Sequence, residues 1–303
     1  MGAATNGYGL IRVWDTQTGN VLLDISDPSV PPPLSIAWSP DSKRFATAGG
    51  DPTIRAWCMD TTANATCTPG QLLAQLEGHE DPITSISWGA NNLLASGGQI
   101  EIYSIRTWDM NTYQPLAKNG EGSVSQLAWH PTSNLIAEVN LAGAFILDGS
   151  LPTVSNPALD RVGKRVPALS VAWNSDGSQI AYGTEDGEIY VANSVTKAQI
   201  ALLQGHTGQV YALAWNPDNV RLASSSNDGT IRIWNLSNNS SQVLPVNKNY
   251  VATLQISWSP DGMTLYYPNT TDTLVGLPAK IGDNGNYISL DRILCSNHMH
   301  VLQ

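Results

Sequence analysis

The chain has 303 residues, of which 42% are apolar and only 13% are charged, and its formal net charge is −10 at pH 7. This acidity argues against binding to nucleic acid or to an anionic membrane, because phosphate contacts need clustered cationic side chains. No segment approaches the roughly 20 apolar residues that span a bilayer, and no basic segment followed by an apolar run opens the chain, so neither membrane insertion nor a signal peptide is expected.

A short apolar phrase ending in tryptophan recurs six times along the chain. The tryptophans are Trp38, Trp88, Trp129, Trp173, Trp215 and Trp258, with successive spacings of 50, 41, 44, 42 and 43 residues. This period is typical of one four-stranded blade of a β-propeller. We therefore expect an all-β fold in which each phrase is the innermost strand of a blade.

The cleanest copy runs from Gly205 to Leu236 and divides at its turn residues. It predicts strands at Val210–Trp215, Arg221–Ser226 and Thr230–Asn235, because each segment alternates and is bounded by Asn-Pro-Asp-Asn or Asn-Asp-Gly. A sheet with two apolar faces is stable only when neighbouring sheets cover both of them, so we expect the blades to close into a ring.

Counting third strands predicts seven antiparallel four-stranded blades in a single domain. The third strands lie near Trp14, Trp57, Trp108, Leu147, Val191, Trp234 and Val275. Met1 falls inside a repeat, so the first blade lacks an innermost strand, and we expect the carboxy-terminal tail to complete it. The predicted blades are 1–26 with 291–303, then 34–77, 83–118, 123–156, 168–204, 209–246 and 252–290. The alternative that this sequence is part of a longer chain stays open.

The motifs resemble those of WD-repeat propellers: Gly205-His206 is followed by Trp234, and Gly78-His79 by Trp108-Asp109. In that family a histidine, a hydroxyl residue, an aspartate and a tryptophan form one hydrogen-bonded set. The resemblance assigns His206, Ser224, Asp228 and Trp234 to such a set, with partial sets at Thr47, Asp51 and Trp57 and at His79 and Trp108. We interpret these residues as structural, because a hydrolase would need an accessible nucleophile and an oxyanion site.

Two cysteines, Cys58 and Cys67, flank one loop and are a candidate disulfide. A bridge would indicate an oxidising compartment, whereas two reduced thiols would fit the cytoplasm. Cys295 has no evident partner. N-glycosylation sequons at Asn64, Asn239 and Asn269 favour export, so the localisation stays open between cytoplasmic and exported.

The segment from Asp160 to Arg165 is the one cationic cluster of this acidic chain, and we expect it to be a loop that precedes an inner strand. Loops of this kind lie on one rim of a propeller, where basic residues could bind an acidic or phosphorylated peptide. The candidate partner-binding residues of the rim are Arg161, Lys164, Arg165, Glu80, Asp81 and Asn227.

No nucleotide-binding or metal-binding motif is recognisable, since His298 and His300 alone supply only two ligands and zinc needs three or four. The sequence therefore predicts no catalytic residue, no metal and no cofactor. The favoured function is a non-enzymatic scaffold that binds a protein or peptide on its rim. Two alternatives stay open. One is an exported structural protein, and the other is a propeller enzyme or small-ligand receptor. The inner strands argue against the second, because they offer few polar side chains to the central channel.

Overall fold

The computed structural model describes residues 2–5, 10–16, 18, 20–26, 31–99, 104–120, 122–149, 160–244, 255–268, 274–278 and 292–294. Their regular secondary structure is entirely β-strand, arranged in seven antiparallel sheets. Within each sheet the strands follow one another in chain order. This arrangement confirms the all-β class and the four-stranded antiparallel sheets.

The first three sheets comprise eleven strands, and the first of them has three strands among the described residues. Their bounds are β1 Gly2–Thr5, β2 Leu10–Trp14 and β3 Val21–Ser26; β4 Pro33–Trp38, β5 Arg44–Gly49, β6 Ile54–Cys58 and β7 Leu72–Leu76; β8 Ile83–Trp88, β9 Leu93–Gly98, β10 Ile105–Asp109 and β11 Gln114–Asn119.

The remaining four sheets have four strands each. Their bounds are β12 Gln126–Trp129, β13 Leu135–Asn140, β14 Gly143–Asp148 and β15 Asp160–Val162; β16 Ala168–Trp173, β17 Gln179–Thr184, β18 Ile189–Asn193 and β19 Gln199–Leu203; β20 Val210–Trp215, β21 Arg221–Ser226, β22 Thr230–Asn235 and β23 Ser240–Leu244; β24 Ser257–Trp258, β25 Thr264–Pro268, β26 Leu274–Pro278 and β27 Arg292–Leu294. The three strands predicted in the cleanest repeat match β20, β21 and β22.

Two boundaries differ from the expectation. Asp160–Val162 is not loop but the outer strand β15, where Arg161 pairs with Phe145 of β14. Arg292–Leu294 was assigned to the first sheet but pairs instead with Leu274–Pro278 in the seventh. In both cases the third strand of the same sheet offers an open edge whose backbone groups the later segment satisfies. The strand expected near Tyr287 and the tail beyond Leu294 lie outside the described residues.

The turns after the repeated tryptophans share a backbone conformation. The residue four positions after the tryptophan has a positive φ in five of them: Ser42, Asn92, Gly177, Asn219 and Gly262. Asn and Gly tolerate this left-handed conformation at low cost. In three of these five turns, the Asp-Gly or Pro-Asp-Asn segment supplies this residue to the hairpin between the first and second strands.

The core is divided into six apolar clusters, each between two successive sheets. Between the fifth and sixth sheets, for example, Ala181 and Val191 pack with Trp215 and Trp234. The seventh sheet also contacts the first, because the hydroxyl of Tyr266 donates to the carbonyl of Thr16 at 3.3 Å. Each sheet is therefore held by its neighbours, which explains why the apolar phrase must recur at a regular interval.

Candidate protein-interaction site

A buried hydrogen-bonded set links three segments of the sixth sheet. His206, in the loop before β20, places Nε2 2.7 Å from Oγ of Ser224 on β21. The indole of Trp234 on β22 donates to the same Oγ at 2.8 Å. Nδ1 of His206 lies 2.9 Å from a carboxylate oxygen of Asp228, in the turn between β21 and β22.

The environment sets the protonation state of this set. Burial lowers the pKa of His206, so its imidazole is neutral near pH 7. Burial opposes ionisation of Asp228, but hydrogen bonds from Thr230, Thr207 and His206 outweigh it and lower the pKa of the carboxyl. Nδ1–H therefore donates to the carboxylate, while Nε2 accepts the proton of the Ser224 hydroxyl.

Glycine before the histidine is required by close packing. Gly205 has a φ of +156°, and a Cβ there would lie 2.9 Å from Nη1 of Arg232 and 3.3 Å from the indole of Trp234. Ser224 itself has no exposed surface. A hydroxyl so enclosed cannot reach a substrate, so this geometry stabilises the sheet rather than performing nucleophilic chemistry.

Each partial set also has a hydroxyl group at its centre. Nε2 of His79 lies 2.6 Å from Oγ of Ser96, and the indole of Trp108 donates to that Oγ at 2.9 Å. In the second sheet the indole of Trp57 donates to Oγ1 of Thr47 at 2.9 Å.

Asp51 does not join a histidine in the second sheet. Its carboxylate binds the guanidinium of Arg55 through two hydrogen bonds of 3.0 and 2.7 Å. Ser96 was not assigned to the set from the sequence. Its position in the sheet is nevertheless equivalent to that of Ser224, since Ser96 pairs with Arg106 as Ser224 pairs with Arg232.

The fourth sheet places a carboxyl group at this register position. Glu138 lies opposite Leu127 and Phe145 and is completely buried. Its Oε1 accepts from the amide of Asn140 at 2.9 Å, while Oε2 has no hydrogen-bond partner within the described ranges. Burial raises the pKa of Glu138 to about 7, against the lowering effect of Asn140. The sequence analysis did not single out this residue.

Three cationic residues form one exposed group, which we call the basic rim patch: Arg161 on β15, and Lys164 and Arg165 in the loop to β16. The guanidinium of Arg161 lies 5.4 Å from the ring of Phe145, and Nζ of Lys164 lies 6.0 Å from the ring of Tyr190. In the part of the chain that the structure describes, the three side chains make no ion pair and no hydrogen bond.

The turn between β13 and β14, which carries one exposed leucine, lies next to this patch. Leu141, in the turn between β13 and β14, has 66% of its surface exposed. The same turn abuts the patch, because a Cβ on Gly143 would lie 3.6 Å from the carbonyl oxygen of Lys164 and 3.9 Å from Cα of Arg165. Leu141 was not predicted from the sequence, where an isolated leucine in a turn carries no signal.

The other predicted rim residues lie on different sheets. Glu80 and Asp81 are in the loop before β8 of the third sheet. Asn227 is in the turn between β21 and β22, where its amide donates to Gln209 at 3.1 Å. The six candidates are thus spread over three sheets, and Arg161, Lys164 and Arg165 form the one cationic group among them.

Cys58, at the end of β6, and Cys67 are joined by a disulfide, with their Cα atoms 6.2 Å apart. No group of three or more His, Cys, Asp or Glu residues suited to a metal ion occurs among the described residues. Cys295, His298 and His300 lie outside them. Within the described ranges there is also no helix long and apolar enough to cross a membrane.

The inner strands β4, β8, β12, β16, β20 and β24 or their flanking residues border a cavity of about 560 Å³. Several polar side chains on this wall already bind the neighbouring sheet: Ser35, Ser85 and Gln126 each accept a backbone N–H from the next inner strand, at 3.0, 3.0 and 2.8 Å. These groups hold the sheets together, which leaves fewer polar groups for a small ligand.

Comparison with known proteins agrees with this architecture. The family described as "WD domain, G-beta repeat" matches residues 28–58, 70–99 and 197–235. These segments include Thr47 and Trp57 of the second sheet, His79 and Ser96 of the third, and the whole set around Ser224 in the sixth. These three segments of the chain are therefore similar to WD repeats. The predicted resemblance is therefore confirmed.

Several WD-repeat relatives share moderate identity with the chain. It is 24% identical over 200 residues to the WD repeat-containing protein AAC3 of Dictyostelium discoideum, covering 59% of this chain and 41% of that protein. It is 28% identical over 184 residues to the human F-box-like/WD repeat-containing protein TBL1X, covering 58% and 31%. It is 27% identical over 204 residues to the ribosome biogenesis protein WDR12 homolog of Chlamydomonas reinhardtii, covering 59% and 46%. The matches span less than half the length of these relatives.

Proposed function

We propose that this WD-repeat protein is a non-enzymatic scaffold whose basic rim patch, with Leu141, binds an acidic segment of a partner protein. The observation that carries the proposal is the cluster of three exposed cations that form no ion pair with a described residue, next to the turn that holds the exposed Leu141. Relatives as different as an F-box-like protein and a ribosome biogenesis protein share the repeat, which favours a binding role over one common reaction.

Charge supports this choice of surface. Three described arginines, by contrast, form ion pairs with neighbouring carboxylates: Arg12 with Asp24, Arg55 with Asp51 and Arg221 with Asp218, at 2.5 to 2.7 Å. The basic rim patch forms no ion pair with any residue that the structure describes, although the chain carries a net charge of −10. Its cations therefore keep their capacity for charge-assisted hydrogen bonds to a ligand.

The chemistry of the surface defines the partner. Guanidinium groups bind carboxylates through two parallel hydrogen bonds, and an exposed apolar side chain supplies contact area at the edge of such a site. We expect a peptide that combines several Asp or Glu residues with one large apolar residue. Because surface charges steer association, its affinity should fall as the salt concentration rises.

The proposal includes seven blades closed into a ring. Six inter-sheet clusters and the contact from Tyr266 to Thr16 support closure, since an open array would leave both end faces exposed. Spin labels at Asn20 and Met263, both exposed, provide a test in a Cys295→Ser background. A narrow distribution of short distances between the labels is expected, whereas a broad and long distribution would contradict closure.

Binding is tested with fluorescent 12-residue peptides, containing either alternating Glu and Leu or alternating Gln and Leu, by fluorescence anisotropy. The triple variant Arg161→Glu, Lys164→Glu, Arg165→Glu should lose binding of the acidic peptide by at least about tenfold, since each lost charge-assisted bond contributes about 1 kcal/mol or more. The matched control Lys43→Glu, Lys118→Glu, Lys197→Glu changes the net charge equally at other places. Equal loss in both variants, or none in either, would reject the patch.

A second candidate function, a structural unit of an exported assembly, is favoured by the disulfide between Cys58 and Cys67. Structural disulfides persist in oxidising compartments and are rare in the cytosol. Intact-mass measurement under non-reducing conditions, on protein isolated from its natural source with thiols blocked at lysis, tests this candidate. Alkylation of both cysteines would count against export.

A further inference from the structure

One exposed loop concentrates acceptor motifs for N-linked sugars. Between β22 and β23 the sequence reads Asn-Leu-Ser-Asn-Asn-Ser-Ser from Asn235 to Ser241. It contains three Asn-X-Ser motifs, which begin at Asn235, Asn238 and Asn239. Such motifs arise by chance in polar loops, so the local geometry has to distinguish them.

The geometry singles out Asn238. Its Oδ1 accepts a hydrogen bond from the backbone N–H of Ser240 at 3.0 Å and another from the hydroxyl of Ser240 at 2.7 Å. The motif is thereby held in an Asx-turn, in which the hydroxyl of its third residue polarises the amide of its first. The amide nitrogen of Asn238 makes no hydrogen bond in the described part of the chain, and the residue is exposed.

The neighbouring motifs are less suited. Asn235 also accepts from the hydroxyl of its third residue, Ser237, at 2.6 Å. Asn235 is nevertheless the last residue of β22, where its backbone pairs with both Arg221 and Ser240, and it is half-buried. A glycosyltransferase needs access to the backbone around the acceptor asparagine. At Asn235 the pairing with the two neighbouring strands blocks that access.

A second exposed motif lies in the corresponding loop of the second sheet. Asn64, Ala65 and Thr66 occupy the loop between β6 and β7, which the disulfide between Cys58 and Cys67 closes. Asn64 and Thr66 are both exposed. The disulfide is an independent indication of the oxidising compartment in which N-glycosylation takes place.

We propose that Asn238 and Asn64 are N-glycosylation sites. In the transfer, Nδ2 of the asparagine forms a bond to the anomeric carbon of a sugar chain carried on a polyisoprenoid diphosphate. The bond from that carbon to the diphosphate oxygen breaks, the diphosphate lipid leaves, and the amide proton passes to a base of the transferase. Both loops join third to fourth strands, so the sugars lie at the end of the sheets opposite the basic rim patch and leave it accessible.

The test is glycopeptide mass spectrometry of the protein from its natural source, after release of the sugars by peptide N-glycosidase in heavy-oxygen water. The label is expected at Asn238 and Asn64 and not at Asn235. Unmodified asparagine at both positions would overturn the proposal, and it would leave the binding proposal for the rim untouched, since that rests on different residues.

Variants secreted from a eukaryotic cell line discriminate between the overlapping motifs. Ser240→Ala should remove the sugar of this loop although it keeps the motif at Asn239, and Ser240→Thr should restore it. Ser241→Ala removes the motif at Asn239 and should leave occupancy unchanged. Loss of the sugar with Ser241→Ala and retention with Ser240→Ala would assign Asn239 instead and refute the assignment to Asn238.

Discussion

The indole nitrogen of Trp215 donates a hydrogen bond to the carbonyl oxygen of Ala172, one sheet away, at 3.2 Å. Trp258 donates in the same way to Ala214 at 3.0 Å, and Trp173 to Ala128 at 2.9 Å. Each of these three tryptophans therefore has two roles. It fills an inter-sheet cluster, and it fixes the position of the preceding inner strand.

Replacing Trp215 by Phe removes this donor and leaves the Ala172 carbonyl without it. We expect the free energy of unfolding to fall by about 1–2 kcal/mol from the lost hydrogen bond, beyond the effect of the smaller ring. Trp38→Phe is the matched control, because Nε1 of Trp38 has no hydrogen-bond partner among the residues that the structure describes. Urea unfolding followed by circular dichroism measures both, and equal losses would contradict the role of the hydrogen bond.

Replacing Ser224 by Ala leaves Nε2 of His206 and the indole of Trp234 without their shared partner. Stability should fall by about 1–3 kcal/mol, since two buried polar groups lose a hydrogen bond. Ser224→Thr should retain most of the stability, because Thr47 fills the same position in the second sheet. Equal destabilisation by both substitutions in thermal unfolding would show that packing rather than the hydroxyl matters.

The carboxyl of Glu138 should make stability fall as the pH rises. Its pKa is raised to about 7 from 4.5, so between these values the folded state holds a proton that the unfolded state has released. The penalty begins above pH 4.5 and is complete above pH 7, on the order of 3 kcal/mol. Glu138→Gln should therefore stabilise the protein at pH 8 and leave its stability nearly unchanged at pH 4. A gain that does not vary with pH would disprove this assignment.

His206 should produce the opposite slope. Because burial lowers its pKa below 6.5, the unfolded state takes up a proton first as the pH falls, and stability is lost below that value. The measurement is best made in the Glu138→Gln background, where the opposing slope is absent. Adding His206→Gln should flatten the curve between pH 6.5 and the folded-state pKa. An unchanged slope would mean that another group titrates there.

Gly177 is expected to tolerate no side chain. Its φ is +73°, and a Cβ there would overlap the ring of His130 from the preceding sheet, whose Nε2 lies 3.2 Å from the Gly177 carbonyl. Gly122→Ala is the control, because its φ is +85° with nothing within 4 Å of a Cβ. Gly177→Ala should cost at least about 1 kcal/mol more than the control. His130→Ala should recover that difference in a double-mutant cycle, and failure to do so would place the strain elsewhere.

The sequence by itself determined the local features of this protein. The recurrence of tryptophan predicted the sheets and their third strands, and the turn residues predicted β20, β21 and β22, because hairpin register depends on contiguous residues. The residues of the buried set around Ser224 were likewise assigned from the sequence, through its resemblance to WD repeats.

Tertiary structure alone decided the remaining features. Which open edge Arg292–Leu294 pairs with, the seventh sheet rather than the first, depends on distant backbone groups and not on local pattern. The burial of Glu138, the position of the turn before Gly143 next to the basic rim patch, and the approach of His130 to Gly177 all arise between segments that are separated in the chain. Side-chain burial and ionisation are set by what surrounds a residue in space, and a single sequence does not contain that information in its spacing.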